Sequence, residues 1–133
     1  MALRSERRFI GITSLKSGMM IEFNYTKKSG GSGNYVVLVV DPKRQNERAT
    51  EPQLHGFVID ELSDSELIEF FTSFGKSTKL DYDDRRASVV EDLNTDEAYN
   101  TFKSSKYVKD RSYRTFNLSG MSSIRQILIG SVD

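Results

Sequence analysis

The sequence has no cysteine and no tryptophan, and only one histidine and two prolines among its 133 residues. Without cysteine there is no disulfide, no thiolate zinc site and no cysteine nucleophile. A lone His55 excludes any site that needs two imidazoles. No apolar run approaches the roughly 20 residues of a membrane span. The start, Met1-Ala2-Leu3-Arg4-Ser5-Glu6-Arg7-Arg8, lacks the apolar centre of a signal peptide. The expected setting is therefore intracellular, neither secreted nor membrane-bound. An excess of one charge sign is missing too, since Lys+Arg is 19 and Asp+Glu is 19. What is present is ordinary for a globular domain: 37% hydrophobic and 29% charged residues, far from a disordered polyelectrolyte. The length fits a single domain over 1–133, able to bury about two-thirds of its unfolded surface.

Zero net charge hides a pattern. Residues 1–28 carry six basic and two acidic side chains, residues 29–59 three of each, residues 60–97 twelve acidic and four basic, and residues 98–133 six basic and two acidic. Both ends are thus +4 and the middle is −8. This predicts a mobile basic N-terminus (1–8) and an acidic helical insert (about 60–103), with charges of opposite sign that either mark an interaction surface or neutralise each other inside one monomer.

Period-two alternation over Met19–Thr26 sends Ile21, Phe23 and Tyr25 one way and Glu22, Asn24 and Thr26 the other, a half-buried strand. The glycines at 30, 31 and 33 mark a hairpin loop. The β-branched run Tyr35–Val40 predicts a central strand covered on both faces, stopped at Asp41-Pro42. Leu54–Ile59 is the next strand, with Gly56 at a bulge. Ser63-Asp64-Ser65-Glu66 is a capping box for a helix over 63–74, whose stripe is Leu67, Phe70, Phe71 and Phe74, ended by Gly75. Residues 76–94 read as an irregular acidic excursion. A short helix follows from Thr95, capped by Asn94 and anchored by Tyr99 and Phe102. Ser112–Leu118 alternates again, and a last strand covers about Ile124–Ile129. The fold class is mostly β with helical additions (α+β): a small, strongly bent antiparallel barrel of about five strands, capped by the 63–74 helix.

Catalytic chemistry finds little footing. Gly75-Lys76-Ser77 has the tail of a phosphate loop, but Phe70 stands where its leading glycine belongs and a helix precedes it. Gly30-Gly31-Ser32-Gly33 joins two strands, so no helix N-terminus waits for a pyrophosphate. Asp81, Asp83 and Asp84, with Glu91 or Asp92, lack calcium-loop spacing and have Arg85 and Arg86 as counter-ions. Nothing places Asp41, Asp60 or Glu61 in a dry cleft that would split carboxylate pKa values. His55 reads as a hydrogen-bonded edge residue rather than a base. Asn24-Tyr25-Thr26 and Asn117-Leu118-Ser119 match a glycosylation triplet by chance. The expectation is a protein that is not an enzyme, with no metal, cofactor or small-molecule substrate.

Binding residues stand out better. Arg4, Arg7 and Arg8 at the basic start and Asp81, Asp83 and Asp84 in the acidic middle are candidates for a protein partner or a second copy. Lys103, Lys106, Tyr107, Lys109, Arg111, Tyr113 and Arg114 interleave cations with rings, the ingredients of a nucleic-acid surface and the alternative reading.

Two segments resemble known small barrels. Ser17-Gly18-Met19-Met20-Ile21-Glu22-Phe23-Asn24-Tyr25 is similar to the entry of SH3-like barrels, a turn glycine before an alternating first strand. Ser112-Tyr113-Arg114-Thr115-Phe116-Asn117-Leu118-Ser119-Gly120-Met121-Ser122-Ser123-Ile124 resembles the late strand pair of the WYL domain, an Sm/SH3-like barrel of bacterial and phage regulators that sense ligands, often nucleic acid. Together they cover about a quarter of the chain. Gly56-Phe57-Val58-Ile59 stands where the family's tryptophan-tyrosine-leucine core would fall, and the insert after Ser63 has no counterpart there. The resemblance implies the barrel. The strand–glycine loop–strand opening, followed by His55-Gly56-Phe57-Val58-Ile59-Asp60-Glu61-Leu62 and a helix, looks like small proteins of large tailed phages. That likeness implies a bacteriophage origin, host cytoplasm or virion, and a role in virion assembly or nucleic-acid handling. The reading favoured on charge is a non-enzymatic interaction protein with a protein partner, because the acidic half would repel DNA.

Overall fold

A computed structural model describes residues 3–45, 50–63, 65–66, 69–70, 80–83, 86–90, 95–106, 108 and 112–131. Among these residues there are eight strands: β1 (Leu3–Phe9), β2 (Met20–Thr26), β3 (Ser32–Arg44), β4 (Gln53–Val58), β5 (Leu80–Asp83), β6 (Arg86–Val90), β7 (Tyr113–Asn117) and β8 (Met121–Ser131). One helix, α1, spans Thr95–Lys103, and residues 65–66 and 69–70 are helical as well. The strands form a single sheet in the order β5-β6-β8-β2-β3-β4-β7, in which β2 and β6 pair with successive parts of one side of β8 and β1 pairs with its opposite side. Every ladder is antiparallel. The protein is therefore mostly β with helical additions. Among the described residues β7 pairs only with β4, so the sheet is not closed into a barrel.

The expected alternation in β2 holds in space. Ile21 and Phe23 enter one apolar cluster, together with Val37, Val39, Leu54, Phe116, Met121 and Ile124, and Tyr25 packs against it. Met20 joins a second cluster on the opposite face, with Val36, Leu38, Val40, Phe57, Phe70, Ala98 and Phe102. β3 lies between β2 and β4 and feeds both clusters, which is why its sequence is a continuous apolar run rather than an alternating one.

Pro42 does not stop β3. The strand runs on to Arg44, and the β3–β4 register shifts twice, between Val39 and Asp41 and between Asp41 and Arg44. Bulges are where a strand tolerates a proline, because a ladder bond is already missing there. Opposite this bend Gly56 pairs with Val39. A Cβ at Gly56 would collide with the Leu38 carbonyl oxygen and a Val37 methyl, so the close approach of β3 and β4 requires glycine. In β8, Ser123 has a φ of 50° where the β2–β8 register shifts, the extra residue of a bulge. These irregularities curl the sheet. At its far end the Asn117 amide donates to the Tyr25 hydroxyl (3.1 Å), tying β7 back to β2 across two intervening strands.

The capping box forms as read: the Glu66 amide donates to Ser63 Oγ (3.2 Å) and the Ser63 amide to Glu66 Oε1 (3.1 Å). Phe70 is fully buried. Leu67, Phe71, Phe74, Gly75 and the cap residue Asn94 lie outside the described residues. Two further expectations change. Within the excursion expected to be irregular, the described residues make the β5–β6 hairpin, and β6 joins β8 at Arg86↔Gly130 and Ala87↔Ile129. Residues 3–9, expected as part of a mobile basic start, form β1, paired residue for residue with β8 from Leu3↔Ser131 to Phe9↔Arg125. Backbone hydrogen bonding to a central strand offsets the ordering of a charged segment that has little to bury.

Candidate interaction surface

β1 positions the basic start. It pairs with β8 along one side only, and no described strand occupies its other side. Arg7 and Arg8 are exposed along it. At its end stands Phe9, 74% exposed, followed by Ile12 at 40%, the large exposed hydrophobics of the described residues. The Ile10 amide donates to the Ile124 carbonyl (3.0 Å). Because successive residues of a strand turn their amides to opposite sides, the amides of Arg8 and Glu6 then face β8, and those of Ser5, Arg7 and Phe9 face the open side. The surface is thus a hydrogen-bonding edge with cations beside it and an aromatic ring at one end.

The cations here are also tied to their own sheet. Arg7 pairs with Glu22 (3.5 Å), and Arg125 reaches the same carboxylate (3.3 Å) while Asn34 donates to it (2.9 Å). Arg8 approaches the side-chain oxygen of Gln126 at 3.4 Å. Such half-exposed pairs contribute little stability and fix where the charges stand. Arg4 lies in β1 opposite Gly130; Asp81 and Asp83 lie in β5; Asp84 is outside the described residues.

The described residues of the basic-aromatic stretch lie on both faces of the sheet and on or just after α1. Tyr107, Lys109 and Arg111 lie outside the described residues. Lys103, on α1, sits over the Tyr99 ring (5.5 Å), and exposed Lys106 lies 3.9 Å from Glu69. Tyr113 and Arg114 are neighbours on β7 and take opposite faces of the sheet. Tyr113 packs among Phe57 and Tyr99 on the helix-covered face, with ring centroids at 5.0 and 5.2 Å. The Arg114 guanidinium lies over Tyr35 (5.3 Å) and Phe116 (5.7 Å) on the other.

His55 is a residue the sequence reading misplaced. It is on β4, between β3 and β7, and is no edge residue; only 6% of it is exposed. Its Nδ1 and the Tyr113 hydroxyl share a hydrogen bond of 3.3 Å, and Nε2 has no hydrogen-bond partner among the described residues. Across the β3 bend stand Asp41 and Arg44, themselves paired at 2.9 Å. Burial pushes the His55 pKa down, the Arg44 charge pushes it further, and Asp41 opposes. Burial raises the Tyr113 pKa. Buried behind Tyr113, the imidazole therefore favours its neutral form. A signal was available: His55 alternates in phase with Phe57, so it had to share that ring's buried face.

Among the described residues no group of three or more His, Cys, Asp or Glu side chains could hold a metal ion, and no helix is long and apolar enough to cross a membrane. No protein-family model matches the chain, and no curated protein or solved structure matches it significantly.

Proposed function

We propose that this is a non-enzymatic interaction protein that docks onto a protein partner through charge-complementary surfaces. The observation that carries the reading is the open side of β1, where outward amides, Arg7, Arg8 and exposed Phe9 stand together. Open strand edges beside an apolar anchor are what extended protein segments add to. The framework proposed is an SH3-like barrel. Supporting it, the run β8-β2-β3-β4-β7 is a meander whose last strand returns through a short 3-10 turn, Leu118–Gly120, into the strand that pairs with β2. The tailed-phage likeness makes a viral assembly the partner class. The separation of Tyr113 from Arg114 weighs against the alternative, a nucleic-acid-binding barrel, because cation and ring would not follow one strand of nucleic acid.

The test uses tagged protein and a Phe9→Ser/Arg8→Glu variant to capture partners from the native host or its virions, beside labelled single- and double-stranded DNA. A protein retained by the wild type and lost by the variant supports the reading. DNA held at about 100 mM salt and released steeply by about 300 mM, with no protein captured, overturns it in favour of phosphate contacts.

A further inference from the structure

β1 is not the only open edge. Among the described residues β5 pairs with β6 alone and ends the sheet on the opposite side. Around the C-terminal half of β8 the local order is β5-β6-β8-β1, and the four strands are level with one another. Asp83 pairs with Arg86, Arg86 with Gly130, and Gly130 with Arg4; Tyr82, Ala87, Ile129 and Ser5 make the adjacent row. One edge therefore carries Arg4 level with Asp83 of the other, with Arg7 and Arg8 further along β1 and Asp81 further along β5. Strand direction agrees as well. With every ladder antiparallel, β1 and β5 run in opposite senses, so a copy shifted sideways by four strand spacings, about 19 Å at roughly 4.8 Å each, brings its β5 antiparallel to β1.

From this juxtaposition we infer that β1 of one molecule pairs with β5 of a second copy, building a head-to-tail assembly. The inference rests on the protein-docking reading above and names the partner as the chain itself. The interface is heterologous, so it propagates into a ring or a helical filament instead of stopping at a dimer. A two-fold pairing of β1 with β1 in a continuous sheet, centred on Glu6, sets Arg4 opposite Arg8, and like charges directly opposite are unfavourable.

The full chain is sedimented over a range of concentrations at about 50 mM and about 500 mM salt, either side of the point where surface charges are screened. Four samples are compared: wild type, Arg4→Glu/Arg8→Glu, Asp81→Lys/Asp83→Lys, and an equimolar mixture of the two variants. Wild type is expected to form concentration-dependent oligomers at low salt that dissociate at high salt. Each variant alone is expected to be monomeric, and the mixture to regain assembly, because each then offers the edge the other lacks. Ser5→Pro removes an outward amide while leaving the ladder to β8, and it is expected to weaken assembly at least tenfold; circular dichroism confirms that each variant is folded. A wild type monomeric throughout, or a mixture that stays monomeric, overturns the inference. So does loss of assembly in the β1 variant but not in the β5 variant, which is the signature of a β1–β1 dimer. The capture experiment is separate: a foreign protein bound by a monomeric chain sinks the self-pairing and leaves the docking reading standing.

Discussion

The two faces of the sheet are buried by different means. One is covered by the sheet itself: the curl brings Phe23, Tyr25, Tyr35 and Phe116 together, with Phe23–Phe116 and Tyr25–Phe116 centroids both at 5.1 Å and nearly perpendicular. The other, Val36, Leu38, Val40 and Phe57, needs a lid, and Phe70, Ala98 and Phe102 supply it from helical segments. Strands locked in ladders on both sides leave a truncated ring's space unfilled, whereas a helix of nine residues can settle onto a smaller neighbour. The self-covered face should therefore be the less forgiving. Phe23→Ala is expected near the upper end of about 3–5 kcal/mol and Phe102→Ala near the lower end, read by urea unfolding of both variants. Equal losses would break the comparison.

Gly56 sharpens it from the backbone side. A methyl group there points at the Leu38 carbonyl and Val37, on the self-covered face, and the strands must move apart to admit it. Gly56→Ala is expected to cost about 1–3 kcal/mol. A cost near zero would mean that β3 and β4 yield freely, and the proposed rigidity of that face would fall with it. On the lid side, Ser63→Ala removes the oxygen that accepts the Glu66 amide and is expected to cost about 1 kcal/mol. A Ser63→Asp variant, able to accept the same amide, should recover most of that loss; failure to recover would assign the effect to something other than the cap.

The same contrast explains what was legible. A strand that buries mainly one face announces it by alternation, as β2 does through Ile21, Phe23 and Tyr25, and a strand buried on both faces announces it by a β-branched run, as in β3. The capping box is local, so four residues sufficed to read it. β1 is different: Leu-Arg-Ser-Glu-Arg-Arg-Phe has no apolar period, and its partner β8 lies well over one hundred residues away, as the 118-residue span from Arg8 to Gln126 shows. β5 alternates, Leu-Asp-Tyr-Asp, but over only four residues, and β6, Arg-Ala-Ser-Val-Val, has five residues and no apolar period. The course of β3 beyond Pro42 depends on bulges that only the pairing with β4 reveals. For the surface, the residues were readable and their grouping was not. Alternation already separates Tyr113 from Arg114, but which face each would meet depended on where the helical lid docks.

His55 gives the finest probe, because it is a polar side chain buried beside Tyr113, whose ring in turn meets Tyr99 on the lidded face, with Asp41 and Arg44 near it at the β3 bend. Its folded pKa is below the ordinary value of 6.5, from burial first and the Arg44 charge second. The sign follows from proton counting. Above about 6.5 the imidazole is neutral in both folded and unfolded chains, and stability does not change with pH on its account. As pH falls below that value the unfolded chain takes up a proton that the folded chain resists, so stability present at neutral pH is progressively lost as pH falls through the folded value. The expected result is a midpoint of urea unfolding that drops between pH 7 and pH 5 in wild type and drops less in His55→Gln, the difference between the two curves isolating this residue from the carboxylates. Tyr113→Phe, which removes the hydroxyl at Nδ1 and keeps the ring, should retain the pH slope, since burial and Arg44 remain. A His55→Gln curve parallel to wild type would show that the imidazole reaches water through the lid, and the two faces would then differ less in dryness than their packing implies.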